Sequence, residues 1–379
     1  MRRVALGVLV TLASSCTPKA ETTPPSRCAE LRVRTRSTPR WNAEVFFAPT
    51  DEGAWRIYAS GDDFASSTVT FSRDGKTTFS HEGAALFDGV RPARVASSVA
   101  GSALGLLASD HDEGVLEVLF PDGRRETSSR LKLGGRTVEL VADGPGAFVA
   151  YTEADLWWFE GASVVRHRAL PPADASFTRD VLLVPTGRGY VVLHAYPDSG
   201  TLSVRWLDRE GGLLERGELS WGGSVSDLSA LGDHGEVLVM FDGGQDRVLA
   251  RLGDAGRILM DPIALDWSAL PPDARDPVSL AKLTLVAVDG DLLWATVERR
   301  FYRTSHGPYR ARAGVVQLTS SGAVTTLAMF PGRSGSTYGP WLLTEEPGRI
   351  RGGYMRDTFG RRTATSPGHV RLFSAECTP

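Results

Sequence analysis

With 379 residues, 42% of them hydrophobic and 23% charged, the chain has material for a large buried core and is too apolar for wholesale disorder. Its formal net charge of −3 supplies no overall pull toward nucleic acid, so none is expected as a partner. Lysine occurs only at positions 19, 76, 132 and 282, leaving arginine as nearly every cation, and the 41 glycines imply many tight turns.

The first element is a leader. Met1-Arg2-Arg3 is a positive start, Val4 to Leu12 an apolar stretch too short to span a bilayer, and Ala13-Ser14-Ser15 a run of small residues ending at Cys16. This resembles the bacterial lipobox, whose cysteine is lipidated and becomes the mature N-terminus. Here Leu12 sits four positions before the cysteine, where the usual pattern has leucine at three. The resemblance implies an exported, lipid-anchored protein, with Thr17 rather than Asp after the cysteine favouring the outer membrane. Residues 1–16 are thus read as signal peptide, 17–27 as a polar tether and 28–379 as the folded domain.

Within 28–379 no long segment has helical periodicity, whereas short apolar or alternating runs such as Val181–Val184, Tyr190–Leu193 and Leu202–Leu207 recur. Two turns repeat in phase. One, a glycine before an apolar strand, falls at Gly53, Gly101, Gly146, Gly189, Gly235, Gly290 and Gly348, at spacings of 48, 45, 43, 46, 55 and 58 residues. The second falls between successive copies of the first, at Gly75, Gly123, Gly161, Gly211, Gly256 and Gly322. Glycine supplies the positive φ of such hairpins and Asp or Ser caps them.

Units of about 45 residues with four strands resemble the blades of a β-propeller. The expected fold is therefore all-β, a seven-bladed propeller. Its second turn occurs six times rather than seven, because the last unit stops after a strand at 369–375. The strand from Ala29 to Thr35 can supply the missing outer strand and close the ring. Of the three cysteines, Cys28 and Cys377 then meet as a disulfide, which an oxidising envelope compartment permits.

Catalytic patterns are absent. Gly144-Pro145-Gly146 and Gly187-Arg188-Gly189 lack the third glycine and the helix of a phosphate loop. Ser279-Leu280-Ala281-Lys282 matches an acyl-enzyme pattern but falls in a strand. Ser72-Arg73-Asp74-Gly75 is similar to the sialidase Asp box, one residue short and present once. The seven histidines form no paired metal motif.

Antiparallel strands put the two glycine turns at one end of the ring, and the loops between second and third strands, with those between blades, at the other. Propellers commonly bind ligands at that second end. There the loops of blades one to five are acidic, and Asp110, Asp112 and Glu113 cluster oxygens in a way that suits calcium, though Asp is also an ordinary turn residue. Blade six carries an insertion at 299–312, with Arg299, Arg300, Tyr302, Arg303, His306, Tyr309, Arg310 and Arg312; blade seven adds Arg361 and Arg362. Between 299 and 371 lie twelve arginines and three acidic residues, a charge of +9 that leaves −12 elsewhere. Trp221, Trp267, Tyr338 and Trp341 are placed in inter-blade loops at the same end.

Arginine forks pair with carboxylate or phosphate and tyrosine faces stack on sugars, so the site expected is a basic, aromatic one. The leading expectation is a non-catalytic, monomeric binding module for an anionic glycan or an acidic envelope partner, without a cofactor. An enzyme acting on polysaccharide and a purely structural lipoprotein are the alternatives, and a solvated arginine-rich insertion is the plain reading of the charge.

Overall fold

The computed structural model describes residues 28–35, 44–50, 53–60, 63–71, 77–87, 94–110, 113–133, 138–152, 154–171, 180–196, 199–233, 235–244, 246–253, 257–268, 282–289, 292–302, 309–329, 335–346, 349–358 and 369–377. Their strands make seven antiparallel sheets. Sheet one comprises Glu44–Thr50, Gly53–Ser60, Asp63–Phe71 and Thr77–Leu86. Sheet two comprises Arg94–Ala100, Ala103–Asp110, Glu113–Leu119 and an outer strand split into Arg125–Thr127 and Leu131–Lys132. Sheets three and four run Val138–Gly144, Ala147–Thr152, Asp155–Glu160, Ser163–Ala169, and Asp180–Pro185, Gly189–Tyr196, Thr201–Asp208, Leu213–Ser220. Sheets five and six run Ser226–Asp233, Glu236–Asp242, Arg247–Gly253, Ile258–Ala264, and Lys282–Asp289, Leu292–Tyr302, Tyr309–Thr319, Val324–Met329.

Sheet seven draws on both ends of the chain. Gly335–Glu346, Arg349–Thr358 and His369–Cys377 are followed outward by Cys28–Thr35, in the register Cys28↔Cys377, Leu31↔Ala375 and Val33↔Phe373. The first strand of each sheet contacts the first strand of the next, and that of sheet seven contacts that of sheet one.

Burial grades outward in sheets three and four. Gly189–Tyr196 is buried at every position but its last, whereas the outer strands Ser163–Ala169 and Leu213–Ser220 are almost wholly exposed. The second strands of sheets three, four and five are largely apolar runs because both of their faces are covered. From one strand, Tyr190 and Val192 pack with Val149, Tyr151 and Trp158 of sheet three, while Val191 and Leu193 pack with Val237, Val239 and Phe241 of sheet five. The same layering joins sheets two and three through Leu107, Val118, Phe148 and Phe159, and sheets five and six through Leu238, Met240, Leu293 and Val316. Two indole nitrogens inside these layers find acceptors: Trp158 Nε1 donates to Tyr190 Oη at 3.0 Å and Trp206 Nε1 to the Gly253 carbonyl at 2.6 Å.

The repeated glycines fall at the expected turns, and Gly101, Gly146, Gly235, Gly123, Gly161, Gly211 and Gly322 all have positive φ. Gly189 differs: it pairs with Asp208 inside the ladder, and a Cβ there would lie 2.0 Å from the Leu207 carbonyl oxygen. Its glycine answers close backbone approach rather than a left-handed turn. Gly256, Gly290 and Gly348, together with the Ser72–Gly75 motif and Ser279, lie outside the described residues. Gly189→Ala should cost about 1–3 kcal/mol in chemical unfolding. Gly187→Ala, whose Cβ would meet nothing within 4 Å, should unfold like the parent; equal behaviour of the two variants would contradict the assignment.

Candidate functional site

The arginine-rich stretch of sheet six continues, at 299–302 and 309–312, the two arms of a long hairpin. Its arms, Leu292–Tyr302 and Tyr309–Thr319, are eleven residues each. Among the described residues the inner neighbour strand pairs as far as Glu298 and the outer one as far as Gly314. Beyond those points the arms pair with each other, in the register Arg299↔Arg312, Arg300↔Ala311, Phe301↔Arg310 and Tyr302↔Tyr309. Aromatic residues favour a pleated strand and arginine tolerates one, which is why this insertion extends the ladder. Six candidates, Arg299, Arg300, Tyr302, Tyr309, Arg310 and Arg312, are thus placed at adjacent ladder positions. Arg303, His306, Arg361 and Arg362 lie outside the described residues, as does Cys16.

The aromatic residues assigned to this end are divided. Tyr338 and Trp341 belong to the strand Gly335–Glu346, flanking a register shift, and not to a loop. Trp221 and Trp267 do lie between sheets, but both are engaged in packing. Trp221 donates to the Gly243 carbonyl at 3.2 Å and meets Phe241 edge-on, and Trp267 packs on the layer between sheets five and six.

The acidic loop residues have local partners. Asp155 sits 2.7 Å from His167 Nε2, Asp242 2.6 Å from Arg247, and Glu113 2.9 Å from Arg130. Asp242 also accepts the Gly244 amide at 2.8 Å, the ordinary work of a turn aspartate. Of the calcium candidates, Asp110 is the register partner of Glu113 and Asp112 lies outside the described residues. Among the described residues no cluster of three or more His, Cys, Asp or Glu is arranged to hold a metal.

A polar group that the sequence reading passed over lies between sheets three and four. His194, fully buried, has Nε2 2.8 Å from Tyr151 Oη, while its Nδ1 is buried with no hydrogen-bond partner. Tyr196 stacks on the imidazole at 6.5 Å between centroids. Arg205, on the neighbouring strand, is also buried and donates to the Pro171 carbonyl at 3.0 Å. Burial, and then the nearby Arg205 charge, lower the His194 pKa to about 4, so the imidazole is neutral at pH 7. Glu139, the ladder partner of Tyr151, is pushed the other way, up to about 8, by burial and then by Asp180. Asp180 in turn accepts the backbone amide of Asp227, a residue at φ 50°, at 2.8 Å. Near neutral pH this group therefore holds a protonated carboxyl, a phenol and an uncharged imidazole, which suits hydrogen bonding and proton storage more than charge pairing. The available signal was a histidine and an arginine inside strands that are otherwise apolar.

The two shifts act on stability in opposite directions. Lowered in the folded state, His194 makes stability rise from pH 4 to 6.5; Glu139, raised, makes it fall between its unfolded value of 4.5 and about 8. Above pH 6.5 only the Glu139 contribution remains, so the thermal midpoint should drop between pH 6.5 and 8. Glu139→Gln should flatten that drop, and an unchanged slope in calorimetry would refute the assignment.

No protein-family model matches the chain, and no curated protein matches it in sequence. Solved structures do resemble it. The WD40 domain of Toxoplasma gondii coronin aligns over 94% of this chain and 88% of its own, at 10% identity and a TM-score of 0.52. A virginiamycin B lyase from Staphylococcus aureus aligns over 90% and 99%, at 11% identity and 0.50. A prolyl endopeptidase aligns over 87% of this chain and 46% of its own, at 14% identity and 0.51. At such identities the likeness is one of fold, and the chain has the β-propeller fold.

Proposed function

We propose that the chain is a tethered cell-envelope propeller that binds an anionic glycan, or the acidic surface of a partner, through the hairpin tip of sheet six. In this reading the seven sheets are the blades of one closed ring and Cys16 carries the lipid. The observation that carries the binding role is the register of that tip, where Arg299 stands opposite Arg312 and Phe301 opposite Arg310. Like charges directly opposed across a ladder repel, and a multivalent anion relieves the repulsion while pairing with both. Arg361 and Arg362 are assigned to the same site as further cations. An aromatic–arginine ladder is also a surface on which a sugar acid can lie, its ring on tyrosine and its carboxylate on guanidinium.

Ring closure is supported by the cyclic order of first-strand contacts and by the outer strand of sheet seven coming from the N-terminal end. Directly opposed residues of an antiparallel pair have Cα atoms about 4.5–5.5 Å apart, within the range a disulfide spans, which favours a Cys28–Cys377 bridge.

Retention on immobilised polygalacturonate measures the binding role. Arg310→Ala with Arg312→Ala should weaken it roughly tenfold, about 1.4 kcal/mol, and shift elution to lower salt. Retention equal to the parent would reject the hairpin as the site. Peptide mapping without reductant should recover residues 28 and 377 in one linked peptide, and Cys377→Ser should lower unfolding stability by about 2–4 kcal/mol. Free thiols at both positions in oxidised protein would reject the bridge.

A further inference from the structure

Among the described residues six large apolar side chains are exposed, and they form three pairs: Val164-Val165, Leu213-Leu214 and Ile258-Leu259, at 37–53% exposure. Each pair opens the outer strand of its sheet, just after the second glycine turn, in sheets three, four and five. Val164 pairs with Phe159, Leu213 with Leu207 and Ile258 with Leu252, the turn end of each third strand. The three rims are continuous: Arg166 and Arg168 of sheet three donate to the Arg209 and Glu210 carbonyls at the turn of sheet four, and the outer strands of sheets four and five touch. The corresponding places in sheets two and six hold Arg125-Glu126 and a buried Val324 followed by Thr325. Apolar pairs therefore recur along the rim of three consecutive sheets, a band crossed between sheets three and four by the Arg166 and Arg168 bridges.

The equivalent place in sheet seven is Cys28, first residue of the outer strand and opposite the last residue of the third. The chain thus leaves toward Cys16 from the end of the ring that bears the apolar band. Residues 17–27 span at most about 40 Å when extended, so an anchor at Cys16 keeps that end close to the bilayer.

We infer that the Val164-Val165, Leu213-Leu214 and Ile258-Leu259 band rests in the interfacial layer of the lipid bilayer to which Cys16 tethers the chain. The inference rests on the reading that Cys16 is lipidated. Apolar area placed in the headgroup–acyl boundary strengthens membrane residence beyond what the tether gives. It also fixes orientation. The hairpin tip at 299–312 joins second to third strand and so lies at the opposite end of sheet six from its glycine turns. With the turn end on the bilayer, the arginine ladder points away from it, toward soluble ligands.

The test uses the full acylated chain in phosphatidylethanolamine–phosphatidylglycerol vesicles, labelled with an environment-sensitive fluorophore through Leu214→Cys, Leu259→Cys or Ser199→Cys. Ser199 is an exposed control between the second and third strands of sheet four. Brominated lipid should quench the labels at 214 and 259 at least twofold more than the label at 199. Equal quenching at all three sites, or no quenching at 214 and 259, would overturn the inference, the latter also being the result if a second copy covered the band. Mass spectrometry of the N-terminal peptide separates this from the anchoring reading. Absence of an acyl adduct at Cys16 removes that reading, and the band is then tested by flotation of the unacylated full chain with the same vesicles. There Leu214→Glu with Leu259→Glu should reduce binding at least fivefold while leaving the circular dichroism spectrum unchanged, and undiminished binding would overturn the inference.

Discussion

The constraint on which the rest depends is that the second strands of sheets three, four and five bury apolar side chains on both faces. Gly189–Tyr196 buries alternate residues against sheet three and sheet five, so no sheet can satisfy its own core. Each needs a neighbour on either side, and a row of such sheets leaves two uncovered faces unless it returns on itself. The apolar layers, the contacts between successive first strands and the recruitment of Cys28–Thr35 into sheet seven are consequences of one requirement.

Placing Cys28–Thr35 in the last sheet makes that strand structural. It also joins the two ends of the molecule functionally. The turn end carries Cys28 and the exposed apolar pairs, and the other end carries the arginine ladder. In the account proposed here the ring separates attachment from recognition, with the polar group around the buried His194 lying between sheets three and four and belonging to neither.

Much of the fold was legible because glycine at a hairpin has a local cause. Gly101, Gly123, Gly146, Gly161, Gly211, Gly235 and Gly322 mark turns whose positive φ excludes most side chains, and their phase gives the four-stranded unit. Gly189 was found by the same pattern for a different physical reason, a carbonyl too close for any Cβ. The site was less legible. An arginine-rich insertion looks like a loop in sequence, and only the register reveals that Arg299–Tyr302 and Tyr309–Arg312 continue a ladder. Trp221 and Trp267, attractive as ligand platforms, are instead packed, a distinction composition does not carry. The His194 group depends on two sheets meeting, and its pKa shifts on the burial that meeting creates.

Hydrogen exchange of the native chain measures the central claim most directly. Replacing Leu31 and Val33 by proline disrupts the outer strand that pairs with Ala375 and Phe373 while leaving the sequence of sheet seven's other three strands unaltered. If the ring closes through that strand, amides of 369–377 lose their protection and those of sheets one and six weaken with them. If protection across all three sheets is unchanged, the ends do not close the structure, and the account is wrong.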